Sequence, residues 1–327
     1  MKAVLLSPRL LYFSPSQVIF QCSTSLFADG GLPEHAFKYR FVFKGLFRST
    51  NGNERAATIV SDQWSSVVAL YSELSMSYPS DKLPAISATA QAFNMAYPAP
   101  DDLQPCYLAG IWRDNLPYGL LWYRRSNELP EPRPEYRAPS WSWASIDGAV
   151  WIPPYKHLIP SLPDCVVASV ENCYVLHKSP SNPYGEVVGG RLQITAPMVE
   201  VLDYYIAPSG CIYLQDLGNH FITACEGSAD ALDLSLALPL TPKSGYKMVL
   251  LCVIRLPQSQ NEVQHAERTM EDYECMRPFS AYYLILLKRE ETDPYSRIGL
   301  LHFETQEPLK LQKRWKDDSN IQMVTIV

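Results

Sequence analysis

Residues 136–148 read YRAPSWSWASIDG, and this stretch organises the rest of the chain. Because side chains alternate across a strand, an extended backbone here would place Trp141 and Trp143 on the same face. Pro139 is acceptable at the first position of a strand, and the Asp-Gly pair at the end of the stretch is typical of a turn. The stretch therefore predicts a strand with an indole-rich face.

The sequence changes character on either side of this stretch. Before it, apolar residues recur at helical spacing, whereas after it they fall in short runs separated by turns. Large aromatic side chains contribute most to stability when they are buried. We therefore expect the two indoles to be buried where a helix-rich half meets a strand-rich half. The alternative is that they line a groove for a sugar or a peptide.

The composition is that of a folded protein. The chain has 327 residues, of which 47% are hydrophobic and 19% are charged, so two domains or one large two-part domain are expected. The net charge of −6 argues against a nucleic-acid partner, because such proteins concentrate Lys and Arg on one face.

The cysteines and the apolar runs indicate a soluble cytoplasmic protein. The chain has 8 cysteines, none of them in a Cys-x-x-Cys pair, which is typical of reduced intracellular thiols. The apolar run at residues 3–6 ends too early for a signal peptide. No apolar run approaches the roughly 20 residues that span a bilayer. We therefore expect no membrane span.

Three helices are predicted before the central stretch. The first begins at Ser61, the second begins after Asp81, which we expect to cap it, and the third covers about residues 102–117. Pro84 is tolerated in the first turn of the second helix. The residues predicted to face the core are Trp64, Val67, Val68, Tyr71 and Leu74, then Leu83, Ile86, Ala90 and Phe93, then Leu108, Ile111 and Trp112.

The remainder of the chain predicts strands. Residues 247–256 are almost wholly apolar and should form a central strand, and Gly189-Gly190 should form a hairpin turn. The other predicted strands are 18–20 and 39–43 near the start, and 166–170, 191–196, 198–202, 211–214, 221–224, 281–288, 298–303 and 321–327.

These elements predict an α+β fold, with a layer of about three helices packed on an antiparallel β barrel or sandwich. Residues 51–135 would form the helical region and a proline-rich linker, and residues 136–327 the β domain packed on it. Residues 1–50 are broken by prolines and glycines into pieces too short for a core of their own.

Several motifs resemble the fungal heterokaryon incompatibility (HET) family. The run at residues 7–13, with Cys22 following it, resembles the closing segment of the HET domain. The motifs after it occur in the order typical of the region that follows that domain. The motif residues are Asp81, Lys82, Leu83 and Pro84, then Tyr107, Leu108, Gly110 and Trp112, then Trp122, and lastly Pro139, Ser140, Trp141, Ser142 and Trp143.

The resemblance implies a role in fungal non-self recognition, in which fusion of incompatible hyphae triggers growth arrest and programmed cell death. Residues 1–50 resemble only the end of the HET domain, so the resemblance implies a chain without the front of the effector. The resemblance therefore implies a non-enzymatic scaffold or recognition region with no catalytic, cofactor or metal residue. A protein partner is expected, and so is self-association through unpaired strand edges in the N-terminal region.

Other chemistries find little support in the residue pattern. His157, Cys165, Cys173 and His177 lie in one region, but structural zinc sites normally use a tighter cysteine pair. No nucleophile elbow of the Gly-x-Ser-x-Gly type occurs. The carboxylates considered for a glycosidase pair are Glu128, Glu131, Glu135 and Asp147. The first three lie on the proline-rich linker, which cannot hold two carboxylates at the fixed separation that this reaction needs.

Two other functions stay open on the sequence. In the second hypothesis, the β half is a carbohydrate- or peptide-binding module that uses exposed aromatic residues such as Trp151, Tyr204 and Tyr205. The third hypothesis is an unrecognised hydrolase.

Overall fold

The protein is described by a computed structural model. The residues described are 9–13, 15, 17–22, 26–31, 57–99, 102, 104–125, 135–152, 166–201, 203–206, 212–215, 221–222, 228–229, 247–257, 279–288, 290, 292–305 and 320–327. Residues 39–43 and most of the proline-rich linker lie outside these ranges.

The described residues contain two α-helices, α1 (Ala57–Ser72) and α2 (Lys82–Ala96). Helix α1 begins before the predicted Ser61, and it buries the predicted stripe from Trp64 to Tyr71. Leu74 is an exception, because it lies beyond the end of α1 and is exposed.

Helix α2 begins close to where it was predicted, with Pro84 in its first turn. Its core face, from Leu83 to Phe93, is buried as predicted. The predicted capping role of Asp81 is wrong, because its carboxylate makes no capping hydrogen bond. Asp81 instead ends a short 3-10 helix, Pro79–Asp81, that leads directly into α2.

The predicted third helix is wrong. Its central residues form a tight hairpin of β4 (Tyr107–Leu108) and β5 (Ile111–Trp112). Ala109 and Gly110 turn the chain with φ of 48° and 101°, the positive values of a type I′ turn. The apolar residues at helical spacing misled the prediction, because the same residues fill both strands of a short hairpin.

The predicted strand around the two indoles is also wrong. Trp143–Ser145 form a 3-10 helix, and the Ser142 hydroxyl caps it by accepting a hydrogen bond from the Ala144 amide at 3.0 Å. Serine competes for nearby backbone groups in this way and so ends extended structure. The indoles of Trp141 and Trp143 are nevertheless fully buried, as predicted.

Most of the predicted strands in the second half are present, and the main ones form a large antiparallel sheet. The strands of this sheet are β8 (Ser169–His177), β9 (Val187–Val201), β13 (Ser228–Ala229), β14 (Lys247–Pro257), β15 (Phe279–Lys288), β16 (Ser296–Thr305) and β17 (Ile321–Ile326). Their order across the sheet is β13-β16-β15-β14-β9-β17, and β8 also pairs with β9. As predicted, β14 lies inside the sheet, between β15 and β9.

The predicted turn at Gly189-Gly190 is wrong, because both glycines lie within β9. That single strand also replaces the two predicted over 191–196 and 198–202. A Cβ atom on Gly190 would lie only 2.5 Å from Pro139 Cγ. Glycine is therefore needed here for close approach of the central stretch to the sheet, not for a turn.

The described strands form no closed barrel, so that part of the prediction is not supported. Smaller sheets accompany the large one. They are β1 (Arg9–Phe13), β2 (Val18–Cys22) and β3 (Leu26–Ala28), then β6 (Tyr123–Arg124) with β7 (Val150–Trp151), and β10 (Asp203–Ile206), β11 (Ile212–Gln215) and β12 (Phe221–Ile222).

One buried cluster joins the helices to the large sheet. It runs from Trp64 and Phe93 on the helices to Leu192, Leu284 and Val324 on the strands. The helical and strand-rich halves therefore share a core. Among the described residues, neither helix is long and apolar enough to cross a bilayer.

Candidate functional site

The turn of the β4–β5 hairpin is the centre of the motif cluster. The indole Nε1 atoms of Trp64 and Trp143 both donate to the carbonyl oxygen of Gly110, at 2.8 and 2.9 Å. The Ser142 hydroxyl donates to the carbonyl oxygen of Ala109 at 2.5 Å. Helix α1 and the central stretch are thus both fastened to the Gly110 carbonyl of this turn, and the central stretch is also fastened to the Ala109 carbonyl.

Gly110 cannot be replaced at this turn without a clash. Its φ of 101° lies in the region that favours glycine, and a Cβ atom would lie 2.6 Å from Nε1 of Trp143. The side-chain atom would therefore occupy the position of the indole that closes the turn.

We expect Gly110→Ala to lower the free energy of unfolding by about 3 kcal/mol, through backbone strain and displacement of the buried indole. Gly148→Ala is the matched control, since Gly148 has φ of 90° but its nearest neighbouring atom would be 3.7 Å from the new Cβ. It should cost only the strain, about 1 kcal/mol. Urea denaturation of both variants measures the difference, and equal losses would contradict the steric role of Gly110.

A group of aromatic rings packs beside this turn. The ring of Trp64 lies 5.3 Å from Trp112, 5.5 Å from Phe93 and 5.8 Å from Tyr107, mostly edge to face. The rings of Tyr107 and Trp112 lie 5.0 Å apart across the hairpin. Such pairs add stability beyond the burial of their area. The aromatic motif residues therefore contribute to the core rather than to a cleft.

Two buried cations lie at the other end of the central stretch. Lys82 Nζ donates to the carbonyl oxygen of Ile146 and lies 3.9 Å from a carboxylate oxygen of Asp147. Arg137 donates to the Ala144 carbonyl at 2.6 Å and to the same Asp147 oxygen at 2.8 Å. Both cations are about 5% exposed, whereas the Asp147 side chain is 46% exposed. Together they fix residues 137–147 against the start of α2.

Burial changes the acid-base properties of this cluster. It lowers the pKa of Lys82 to about 7, an effect that Arg137 increases and Asp147 opposes. Tyr71, whose hydroxyl donates to the Lys82 carbonyl at 2.5 Å, has its pKa raised by burial. A neutral amine can act as a nucleophile, but this one is buried and directed at a backbone carbonyl. Its position indicates a structural role.

Lys82 should make stability depend on pH. Between about pH 7 and 10.5 the amine of Lys82 holds a proton in the unfolded chain but not in the folded protein. The free energy of unfolding therefore rises with pH, by up to about 1.4 kcal/mol per pH unit. Burial raises the pKa of Cys173 to about 12, which opposes this rise only above about pH 9.

The rise between pH 7 and 9 should disappear in Lys82→Met. It should persist in Lys178→Met, which removes an exposed surface cation. Urea denaturation across this range measures the slope, and an unchanged slope in Lys82→Met would contradict the buried neutral amine.

Arg297 of β16 is a third buried cation, and it holds residues 120–122 through its guanidinium and the central stretch through its backbone amide. The guanidinium of Arg297 donates to the carbonyl oxygens of Leu120 and Trp122 and lies 3.6 Å from the centre of the Trp122 ring. The Arg297 amide donates to the Ser140 hydroxyl at 2.9 Å, and that hydroxyl donates to the carbonyl of Val327. Residues of β16, the end of β17 and the central stretch therefore meet at one hydrogen-bonded junction.

Most of the motif residues predicted from the sequence come together in this cluster. Trp122 donates its Nε1 hydrogen to the Trp141 carbonyl at 2.9 Å, and Pro139 packs against Gly190. Asp81 and Pro84 are more exposed and lie at its edge. Sequence reasoning missed the roles of Arg137, Arg297 and Ala109. The two arginines donate mainly to backbone carbonyls of distant residues, so no short-range pattern reveals their partners.

The residues considered for other chemistry do not assemble into a site in the described part of the chain. Cys173 is buried within β8, and His177 is half-buried at the end of the same strand. His157, Cys165, Glu128 and Glu131 lie outside the described residues. Among the described residues, no group of three His, Cys, Asp or Glu side chains could hold a metal ion. The hydroxyls of Ser140 and Ser142 are directed at carbonyls of the core.

The aromatic residues proposed for a binding surface are only partly described. Trp151 is 38% exposed, and the Arg125 guanidinium lies 5.9 Å from the centre of its ring. Tyr204 and Tyr205 lie on β10, and their side chains lie outside the described part of the structure.

The fold and the cluster together define a class: an α+β protein in which buried indoles and cations fasten a helical half to a large antiparallel sheet. No protein-family model, curated protein or solved structure matches the chain.

Proposed function

We propose that this chain is a non-enzymatic scaffold and recognition region of a HET-type protein of fungal non-self recognition. One observation carries the proposal: five of the motif side chains are buried and donate hydrogen bonds to backbone carbonyls, namely Lys82, Trp122, Ser140, Ser142 and Trp143. Catalytic groups must reach a substrate, whereas groups committed to the backbone hold a fold together.

The cluster supports a scaffold role through its connections. The Gly110 carbonyl joins α1 to the central stretch, Lys82 joins that stretch to the start of α2, and the backbone amide of Arg297 joins it to β16. Each link crosses a long stretch of sequence, so together they fix the relative positions of elements that are distant in the chain. A rigid body of this kind can present a surface to a protein partner and transmit its binding to an attached effector.

The HET assignment rests on the motif order. In that role the chain takes part in the response that arrests growth and kills fused cells when hyphae of different type meet. The partner is expected to be a protein. A nucleic-acid partner would require exposed Lys and Arg side chains, whereas this chain has a net charge of −6 and most of its motif residues are buried.

The test places the chain in a filamentous fungus. Strains that express it are paired with otherwise identical strains that do not, and dead fusion cells are counted with a vital stain. Acting with the HET-type effector of the host, the wild-type chain should raise the number of dead fusion cells. Gly110→Ala should abolish the effect by disrupting the cluster, while Gly148→Ala should retain it. No effect of the wild-type chain, or the same effect with both variants, would overturn the proposal.

A further inference from the structure

The sheet near the start of the described chain has an open edge. In this sheet β1 lies at one side, with β2 in the centre and β3 at the other side. Among the described strands, none pairs with the outer edge of β1. Strand β1 reads RLLYF and pairs with β2 without a register shift. It has neither the proline, the lysine nor the bulge with which proteins commonly protect an edge strand.

The hydrogen bonds show which backbone groups of β1 face outward. The Asp29 amide donates to the Val18 carbonyl, so Val18 on β2 directs its backbone groups toward β3. Directions alternate along a strand, so Ile19 directs its groups toward β1, where it pairs with Tyr12. The amide and carbonyl groups of Arg9, Leu11 and Phe13 therefore point away from the sheet.

The side chains at the open edge are exposed and apolar. Leu11 is 53% exposed and Phe13 is 77% exposed, and both lie on the same face of β1. Phe27 on β3 is 66% exposed, and it lies on that face too, because Leu11 pairs with Phe20 and Phe20 pairs with Phe27. This apolar face and the open edge occur in one small sheet.

Strand β1 complements a second copy of itself. Antiparallel pairing centred on Leu11 places Leu11 opposite its own counterpart and Arg9 opposite Phe13. The single charge of the strand then faces an aromatic ring, a favourable contact, and no like charges oppose each other. All three outward-facing residues join the ladder, which gives about six backbone hydrogen bonds.

We propose that the chain forms a twofold dimer in which β1 pairs antiparallel with β1 of a second copy, centred on Leu11. The two three-stranded sheets become one six-stranded sheet with a continuous apolar face. A five-residue edge is a small interface, so the dimer should be weak, with a dissociation constant on the order of 10–100 µM. The inference is independent of the proposed role in non-self recognition.

Sedimentation velocity of the full chain over a concentration series from about 1 to 500 µM tests the proposal, with this range chosen to bracket the expected constant. Leu11→Lys brings two lysines together at the twofold axis and should weaken dimerisation at least about tenfold. Leu11→Pro removes an outward amide that makes no bond within the sheet, and it should also weaken dimerisation. Phe27→Lys is the matched control, because it charges the same face but lies on the far strand; its dimer should persist.

Hydrogen exchange of the wild-type chain gives a second readout that needs no variant. The amides of Leu11 and Phe13 should gain protection as concentration rises, while the amide of Tyr12, which already bonds to β2, should not change. A monomer at all concentrations would overturn the proposal. So would a dimer lost in Phe27→Lys but kept in both Leu11 variants, since that pattern shows pairing through the apolar face instead of the edge.

Discussion

Replacing Trp143 by alanine should lower the free energy of unfolding by about 4–5 kcal/mol and unfold both halves of the chain together. The indole is fully buried, and truncating a buried tryptophan typically costs about 3–5 kcal/mol. The change also removes one of the two donors to the Gly110 carbonyl and the edge-to-face contact with Tyr71, whose ring lies 5.9 Å away. Urea denaturation followed by circular dichroism measures the loss.

The control for this prediction is Trp151→Ala, which truncates an indole that is 38% exposed. It should cost less, about 2–3 kcal/mol, because more than a third of that side chain already contacts water. Hydrogen exchange then tests the coupling of the halves. If amides of α1 lost protection in Trp143→Ala while those of β15 kept it, the indole would stabilise only the helical half and its joining role would be wrong.

Apolar periodicity predicted the helices and most strands of this fold because it records which residues are removed from water. Helices α1 and α2 bury the stripes expected from their spacing, and β14 is buried as its composition indicates. The same property predicted burial of Trp141 and Trp143 correctly. Burial, however, does not depend on local backbone conformation, so correct burial coexisted with a wrong strand.

The backbone conformation around the motifs could not be predicted from periodicity. The third helix and the hairpin that replaces it bury the same apolar residues, and the hairpin depends on the positive φ values at Ala109 and Gly110, which apolar spacing does not reveal. Alanine rarely adopts such a value, so the Ala-Gly pair carries a weaker turn signal than Asn-Gly would. Likewise, Ser142 uses its hydroxyl as a cap, a choice that depends on a tertiary contact with the Ala109 carbonyl.

The polar contacts of the cluster depend on tertiary structure even more. The central stretch and residues 113–122 are built of short 3-10 helices and turns, which leave many carbonyl groups without partners in a ladder. Buried carbonyls need donors, and Arg297 and Arg137 supply them from 175 and 58 residues away, at Trp122 and Pro79. Such cations replace the hydrogen bonds that regular secondary structure would have provided. This explains why arginines occur in the core.

Arg297→Met should lower the free energy of unfolding by about 3–5 kcal/mol. Methionine fills a similar volume, so the loss reports the hydrogen bonds and the cation-π contact rather than a cavity. Without the guanidinium, the carbonyls of Leu120 and Trp122 remain buried and lose their donor, at about 1–3 kcal/mol each. The stacking on Trp122 is lost as well. Thermal and urea denaturation measure the change.

Two further variants separate the role of the fork-shaped guanidinium from that of charge alone. Arg297→Lys keeps the charge but cannot reach two carbonyls in one plane, so it should recover less than half of the loss. Arg191→Met removes an exposed arginine of β9 and should change stability by less than about 0.5 kcal/mol. Full recovery by lysine would show that a single positive charge suffices. A loss in Arg297→Met no larger than in Arg191→Met would show that the junction between β16 and residues 120–122 does not need the guanidinium.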